Sequence, residues 1–356
     1  MLLQLLRFLL LPFTLLYGSV VWLRNRLYDA GFMSSVSFDI PVIAVGNLSV
    51  GGTGKTPHIE YLIRLLQYEY KVATMSRGYK RKTRGFLLAD AQTNALHIGD
   101  EPMQYHLKFP ELAVSVAEDR MTGIPSLLMH RPQTEIVLLD DAYQHRSVRA
   151  GLNILITDFA KPFYTDFILP YGRLREGRAA YQRADIIIVS KCPSHLSVEE
   201  AAQIKYNLQP LSHQKVFFST IVYGAAYHFF DQTLANYKAK NVLLISGIAR
   251  PEPLMAHLEQ EAQKVHLLQY PDHHFFTERN FEEIKETLGN WHNDCVIVTT
   301  EKDATRLHLR PALLQSIAVP IIVLPIEVRI LLGQQNEFDS LVRSFVLEQT
   351  DKFIGA

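Results

Sequence analysis

The chain has 356 residues, and its 36 lysines plus arginines are balanced by 36 aspartates plus glutamates. That length accommodates one large domain or two ordinary ones with real cores, and the balanced charge excludes a global field drawing the chain to nucleic acid. Its two cysteines, Cys192 and Cys295, are too few and too far apart for a disulfide framework or a zinc site, so both are read as core residues of a cytosol-exposed protein.

The N-terminus is unusual. Between Arg7 and Arg24 lies an apolar run of 16 residues, Phe8 to Leu23, shorter than the roughly 20 that an untilted spanning helix needs. No small-x-small cleavage site precedes the basic Arg24-Asn25-Arg26, which disfavours a signal peptide. Tyr17, Trp22 and the flanking arginines suit a membrane–water boundary. Residues 1–28 therefore read as a membrane-associated helix, lying in or dipping into a bilayer whose cytoplasmic face carries the catalytic body. A greasy helix packed on the protein's own core is the competing reading.

From Ile40 onward, short apolar runs alternate with helical patterns, the signature of an α/β fold with a mostly parallel sheet covered on both faces. The predicted strands are Val42–Val45, Val72–Ser76, Glu135–Asp140, Leu152–Thr157 and Ile186–Ser190. The first runs into Gly46-Asn47-Leu48-Ser49-Val50-Gly51-Gly52-Thr53-Gly54-Lys55-Thr56-Pro57, after which residues 58–70 carry apolar positions at helical spacing. A glycine-rich turn from strand to helix aims backbone N–H groups and a helix N-terminus at one point, which cradles a polyphosphate. The cradle is Ser49, Val50, Gly51, Gly52, Thr53, Gly54, Lys55 and Thr56, with Lys55 reaching the terminal phosphates and the Thr56 hydroxyl available to Mg²⁺. Ser49 stands where this pattern ordinarily begins with glycine.

The strand Glu135–Asp140 ends in the paired carboxylates Asp140-Asp141, as a Walker B strand does, and one of the pair is expected to approach the metal. Gln144 and His145 follow on the same turn. Gly99-Asp100-Glu101-Pro102 places two more acids where a helix starts; N-capping by Asp100 is the bland reading, while an acceptor base and a Mg²⁺ ligand are the functional ones. Two basic segments complete this half: Ser76–Arg84, with five cationic side chains, and Leu169-Pro170-Tyr171-Gly172-Arg173-Leu174-Arg175-Glu176. Beside a phosphate site they read as grips on an anionic substrate or on lipid headgroups.

A smaller α/β domain is predicted from residue 214, giving the divisions 1–28, 29–213 and 214–356. Val216–Tyr223 reads as an extended connector. Strands follow at Val242–Ser246, Val265–Leu268, Cys295–Thr300 and Ile321–Leu324, with helices at 252–263 and 278–290. Its richest segment is Tyr270-Pro271-Asp272-His273-His274-Phe275-Phe276, where an Asp/His proton relay fits better than a zinc site. Thr299–Ala304 is a candidate for adenine binding or interdomain packing.

Taken in order, the Gly46–Pro57 loop, Ser76-Arg77-Gly78-Tyr79, Gly99–Pro102, Asp140-Asp141 with Gln144-His145, Leu169–Glu176, Pro271–His274 and Thr299–Ala304 resemble the tetraacyldisaccharide 4′-kinase family, the lipid A kinases of Gram-negative bacteria. The resemblance implies a P-loop NTPase-like core, a second smaller domain and a membrane-associated N-terminal helix. It implies MgATP-dependent phosphorylation of the 4′-hydroxyl of a tetraacylated glucosamine disaccharide 1-phosphate, giving lipid IVA. The setting would be the cytoplasmic face of the inner membrane, and the protein a monomer. By carry-over, Asp100 and His273 activate the acceptor hydroxyl and Lys55 binds phosphate. Thr56, Glu101 and Asp140, with Asp141 beside it, surround Mg²⁺, while Arg120 and Arg175 stabilise charge. Ala142, Tyr171 and Arg173 depart from the familiar motifs. The rival is a P-loop GTPase or metallochaperone-type NTPase at the membrane; its guanine-binding segment would be Ser190-Lys191-Cys192-Pro193, which lacks the expected aspartate.

Overall fold

The computed structural model describes residues 2–289, 291 and 294–354 of the chain, with side chains described from residue 9 to residue 351 among them. The first and last residues of the predicted divisions, and residue 290 of the predicted helix 278–290, lie outside the described residues.

Fourteen strands form two sheets among the described residues. The larger takes β1 (Val42–Gly46), β2 (Val72–Ser76), β3 (Leu87–Leu88), β4 (Ala113–Val116), β5 (Ile136–Asp140), β6 (Leu152–Asp158), β7 (Ile186–Ser190) and β8 (Lys215–Tyr223). The smaller takes β9 (Tyr227–His228), β10 (Asn241–Ser246), β11 (Lys264–Gln269), β12 (Cys295–Thr300) and β13 (Ile321–Leu324), after which β14 (Ile326–Ile330) returns to the larger sheet. The orders are β14-β8-β7-β6-β1-β5-β2-β4-β3 and β11-β10-β12-β13-β9. The ladders are parallel except at β14·β8, β3·β4 and β13·β9.

Both faces of the larger sheet are covered, as the continuous apolar strands require. Side chains alternate along β1: Ile43 and Val45 pack on one face with Ile59, Leu62, Ile63 and Leu66, while Val42 and Ala44 meet Ile124 and Leu127 on the other. The first of these helices is Lys55–Leu66, and the second is Arg120–His130. The C-terminal helix Gln335–Ile354 adds Phe338, Val342 and Val346 to the first face.

The predicted boundary at residue 214 is corrected. β8 is no connector: it pairs in register with β7, Ile187 opposite Val216 and Ile188 opposite Phe217, and so belongs to the larger sheet. β14 pairs antiparallel with β8, and Phe338 joins the larger core. The smaller sheet is thus an insertion between β8 and β14, and the chain's last segment closes the first unit. Both predicted core cysteines are buried and unbridged.

Candidate active site

The phosphate loop hangs from the end of β1, beside β5 and its terminal acids; Val45 pairs with Asp140. Gly54 turns the chain into the helix Lys55–Leu66 with φ +93°, a conformation that side-chain-bearing residues rarely adopt. The loop is braced from several directions. Asn47 Nδ2 donates to Thr53 Oγ1 at 2.8 Å, and Ser190 Oγ donates to Thr53 O at 2.6 Å. Lys191 donates to Gly52 O. His58 Nδ1–H donates to Gly54 O at 2.7 Å, and its Nε2 accepts from Ser219 Oγ at 2.9 Å. Burial pushes His58 down to about 4, so it stands neutral as this bonding requires. Ser49, at the position that ordinarily holds glycine, bridges Leu174, and Val50 N–H donates to Arg173 O at 2.8 Å. The loop's opening residues therefore borrow a β-type contact from the 169–176 turn.

Asp140 and Asp141 part company, as adjacent strand residues must. Asp141 turns to φ +51° and meets Lys55 Nζ at 3.3 Å and Arg175 Nη1 at 2.9 Å. Burial would raise its pKa, yet Lys55 and Arg175 hold it below the usual carboxylate range. Asp140 is buried, and Oδ2 accepts from the Tyr105 hydroxyl at 3.1 Å. Burial pushes this carboxyl up to about 6 against the pull of Lys55. Its Oδ1 is buried without a hydrogen-bond partner, the kind of orphaned oxygen a cation or its water satisfies. The Tyr105 phenol is itself wholly buried against this carboxylate. Among the described residues, no group of three or more His, Cys, Asp or Glu side chains is disposed to hold a metal.

Arg120 is wholly buried and grips main-chain carbonyls: Ala117 O at 2.9 Å, Glu118 O at 3.2 Å and Asp140 O at 3.3 Å. It fixes the end of β5 from behind. Arg175, by contrast, sits among Asp141, Gln144 and Lys55. In the other basic segment Arg81 is tied to Glu118 at 2.5 Å, while Arg77, Lys80, Lys82 and Arg84 are exposed. Arg173 is held by Asp166 at 2.8 Å.

The Asp100 side of the site is built on the helix Asp100–Lys108, which also carries Tyr105. Gly99 precedes it with φ +92°, and a Cβ there would lie 2.9 Å from Tyr79 O, so the turn admits only glycine. From the smaller sheet, His273 Nδ1–H donates to Asp100 Oδ2 at 2.8 Å. The chain alone brings this pair together, across 173 positions of sequence. His273 Nε2 accepts from Lys302 Nζ at 3.2 Å, and Lys302 lies 3.4 Å from Glu101 and 3.3 Å from Asp272. Arg306 approaches Asp100 at 3.7 Å and pairs with Asp303.

Thr299–Ala304 thus resolves toward interdomain packing. Besides Lys302 and Asp303, Glu301 takes Lys108 Nζ at 2.6 Å, and that same ammonium reaches Glu60 at 2.7 Å. Two carboxylates share one ammonium out of water, and burial, then Glu60, push Glu301 up to about 7. Sequence reasoning missed Tyr105, Lys302 and Arg306. Lys302 lies within a flagged motif, and Arg306 stands three residues after Asp303 on the same helix; Tyr105 gave no local signal.

The segment a guanine-binding reading would use is bound to the loop instead, through Ser190 on Thr53 O and Lys191 on Gly52 O.

Comparison with known proteins identifies the chain's relatives. A family described as tetraacyldisaccharide-1-P 4′-kinase (LpxK) matches residues 6–346. A tetraacyldisaccharide 4′-kinase of Flavobacterium johnsoniae is 45% identical over 350 residues, covering 98% of this chain and 99% of the relative. One of Bacteroides thetaiotaomicron is 45% identical, covering 96% and 93%. Among solved structures, the "apo" form of LpxK from Aquifex aeolicus in complex with ATP aligns with a TM-score of 0.75 at 27% identity, covering 96% of this chain and 99% of that one. The chain belongs to the tetraacyldisaccharide 4′-kinase family.

Proposed function

We propose that the chain transfers the γ-phosphoryl group of ATP to the 4′-hydroxyl of tetraacyldisaccharide 1-phosphate, forming lipid IVA in lipid A biosynthesis. The observation that carries this reading is one helix, Asp100–Lys108, linking an acid–histidine pair at its start to the Walker carboxylate through Tyr105. A phosphate loop and an acceptor base are thereby parts of one polar network.

Phosphoryl transfer asks for alignment and charge neutralisation more than for covalent chemistry. Lys55 and the N–H groups of Gly51, Gly52, Gly54, Lys55 and Thr56 hold the nucleotide phosphates. Thr56 and Asp140, with Glu101 near them, would hold Mg²⁺, which when bound offsets charge on the transferring group. Asp100 accepts the proton of the sugar hydroxyl, and its neighbours act on that carboxylate: His273 donates to it and Arg306 stands behind it. Arg175 supplies positive charge beside Lys55, while Asp141 orients both cations. Arg120 holds the strand end that presents Asp140. A monomer is the working unit in this reading.

The acceptor lives in a bilayer, and the N-terminal helix Leu2–Asp29 supports a seat there. No helix among the described residues is long and apolar enough to cross a membrane. Leu9, Phe13, Leu16, Val20 and Leu23, at alternating spacings of four and three, are each more than half exposed along one face. An amphipathic helix of this kind lies in the interface, on the cytoplasmic face of the inner membrane in this reading. The test is incubation of the purified protein with labelled ATP and tetraacyldisaccharide 1-phosphate in detergent, followed by separation of the lipids. A labelled lipid is expected; label confined to inorganic phosphate rejects the reading.

A further inference from the structure

We propose that the N-terminal helix is part of the catalytic apparatus, with Tyr17 and Arg24 acting as positioning residues that hold Arg175, Asp141 and Gln144 in register with Lys55. The proposal rests on the phosphoryl-transfer reading above and assigns the helix a role distinct from membrane attachment.

Opposite its exposed apolar row, the helix presents an inward stripe of Thr14, Gly18, Val21, Asn25 and Tyr28, all half-buried. Gly18 packs beside Ile168, just before the 169–176 turn, where an added Cβ would meet Ile168 Cδ1 in ordinary contact at 3.5 Å. Thr14 Oγ1 accepts from Tyr171 N–H at 3.0 Å, and Asn25 Nδ2 donates to Glu176 Oε2 at 3.1 Å. Arg146 returns from the Asp141 turn to Asn25 O at 2.8 Å and to Asp29 at 2.6 Å. A helix held only by lipid would have no need of these polar contacts.

Two bonds land on the machinery itself. The Tyr17 hydroxyl donates to the main-chain carbonyl of Arg175 at 3.0 Å. Arg24 Nη2 donates to the main-chain carbonyl of Gln144 at 2.7 Å. From those two residues the side chains close a circuit. Arg175 Nη1 reaches Asp141 at 2.9 Å and Gln144 Oε1 at 3.4 Å; Asp141 reaches Lys55 at 3.3 Å; Gln144 Nε2 donates to Asn47 O, at the root of the phosphate loop, at 2.9 Å. The helix therefore fixes the backbone of Arg175 and Gln144, two members of the circuit that reaches Lys55 through Asp141. Because the same helix offers its other face to a bilayer, seating on lipid and alignment of the cations are mechanically joined.

The test uses the full chain carrying Y17F or R24Q, assayed in mixed micelles with MgATP and acceptor varied independently. Y17F removes one hydroxyl and keeps an aromatic ring at the surface, so it isolates the bond to Arg175. Expected is a fall in kcat of roughly tenfold for Y17F and between roughly tenfold and a hundredfold for R24Q, whose lost contact is charge-assisted. The KM for acceptor, the melting temperature and co-sedimentation with phosphatidylethanolamine/phosphatidylglycerol vesicles should stay near wild type, and R24K should recover part of the loss. Wild-type kcat in Y17F and R24Q, a loss residing wholly in acceptor KM or vesicle binding, or a loss matched by a lowered melting temperature overturns the proposal. If the wild-type chain transfers no phosphate to the lipid, the underlying functional reading fails and takes this proposal with it.

Discussion

Asp100 and His273 offer the sharpest perturbation of the chemistry. Asp100 is 4% exposed, accepts the His273 Nδ1–H at 2.8 Å and has Arg306 at 3.7 Å. Asp100→Asn keeps the shape and removes the basic oxygen; His273→Ala leaves the carboxylate without its close donor. A positioned base contributes about 10²–10⁴ in rate, or about 2.7–5.4 kcal/mol of barrier. Each single variant should therefore lose kcat within that range at saturating acceptor, while the MgATP KM moves little because neither residue lies in the phosphate loop. The pair is bonded in the chain itself, so the two act as one unit, and the double variant should lose far less than the product of the single losses. The assay is steady-state transfer from labelled ATP, with melting profiles to confirm folding. Fully multiplicative losses, or weakened nucleotide binding large enough to account for them, would refute the dyad and return Asp100 to an N-terminal helix role.

The other predictions concern the loop, the interdomain contact and the membrane. Lys55→Ala and Thr56→Ala should each abolish nearly all turnover in a protein that still melts cooperatively; near-normal activity in either would remove the phosphate-loop assignment. Glu301, pushed up to about 7 from an unfolded value near 4.5, binds its proton more readily folded than unfolded, so its contribution to stability is fully present below about pH 4.5 and is lost as pH rises to about 7. Glu301→Gln should flatten the denaturant-derived stability curve across that window; an unchanged slope counts against the crowding of two carboxylates at Lys108. Deleting residues 1–24 should release the protein from membranes, measured by fractionation, and unchanged attachment would move the lipid contact to the exposed Arg77, Lys80, Lys82 and Arg84.

What was legible in the sequence was what consecutive residues encode. The strand, glycine turn and helix of 42–66 lie within one stretch, and β2, β7, β12 and β13 fall within the predicted bounds because each is a short apolar run ended by polar residues. β14, Ile-Glu-Val-Arg-Ile, is too short and charged to stand out as a strand, and its partner β8 has no local mark that separates a sheet strand from an extended connector. The C-terminal helix was missed too, though Phe338, Val342 and Val346 recur at helical spacing. The Asp100–His273 contact spans 173 positions, and only the family resemblance pointed to it. Lys302, Arg306 and Tyr105 acquire their roles by packing between sheets, and no local pattern announces that. The apolar run of 8–23 marks the exposed face of its helix and masks the polar stripe on the other.

The most direct measurement is the position of the transferred phosphate. Product lipid from ATP and tetraacyldisaccharide 1-phosphate, analysed by mass spectrometry and phosphorus NMR, should carry one added phosphomonoester at the 4′ carbon, with the 1-phosphate unchanged and no such product from Lys55→Ala. A diphosphate at carbon 1, or ATP hydrolysed with the lipid unaltered, would contradict the account.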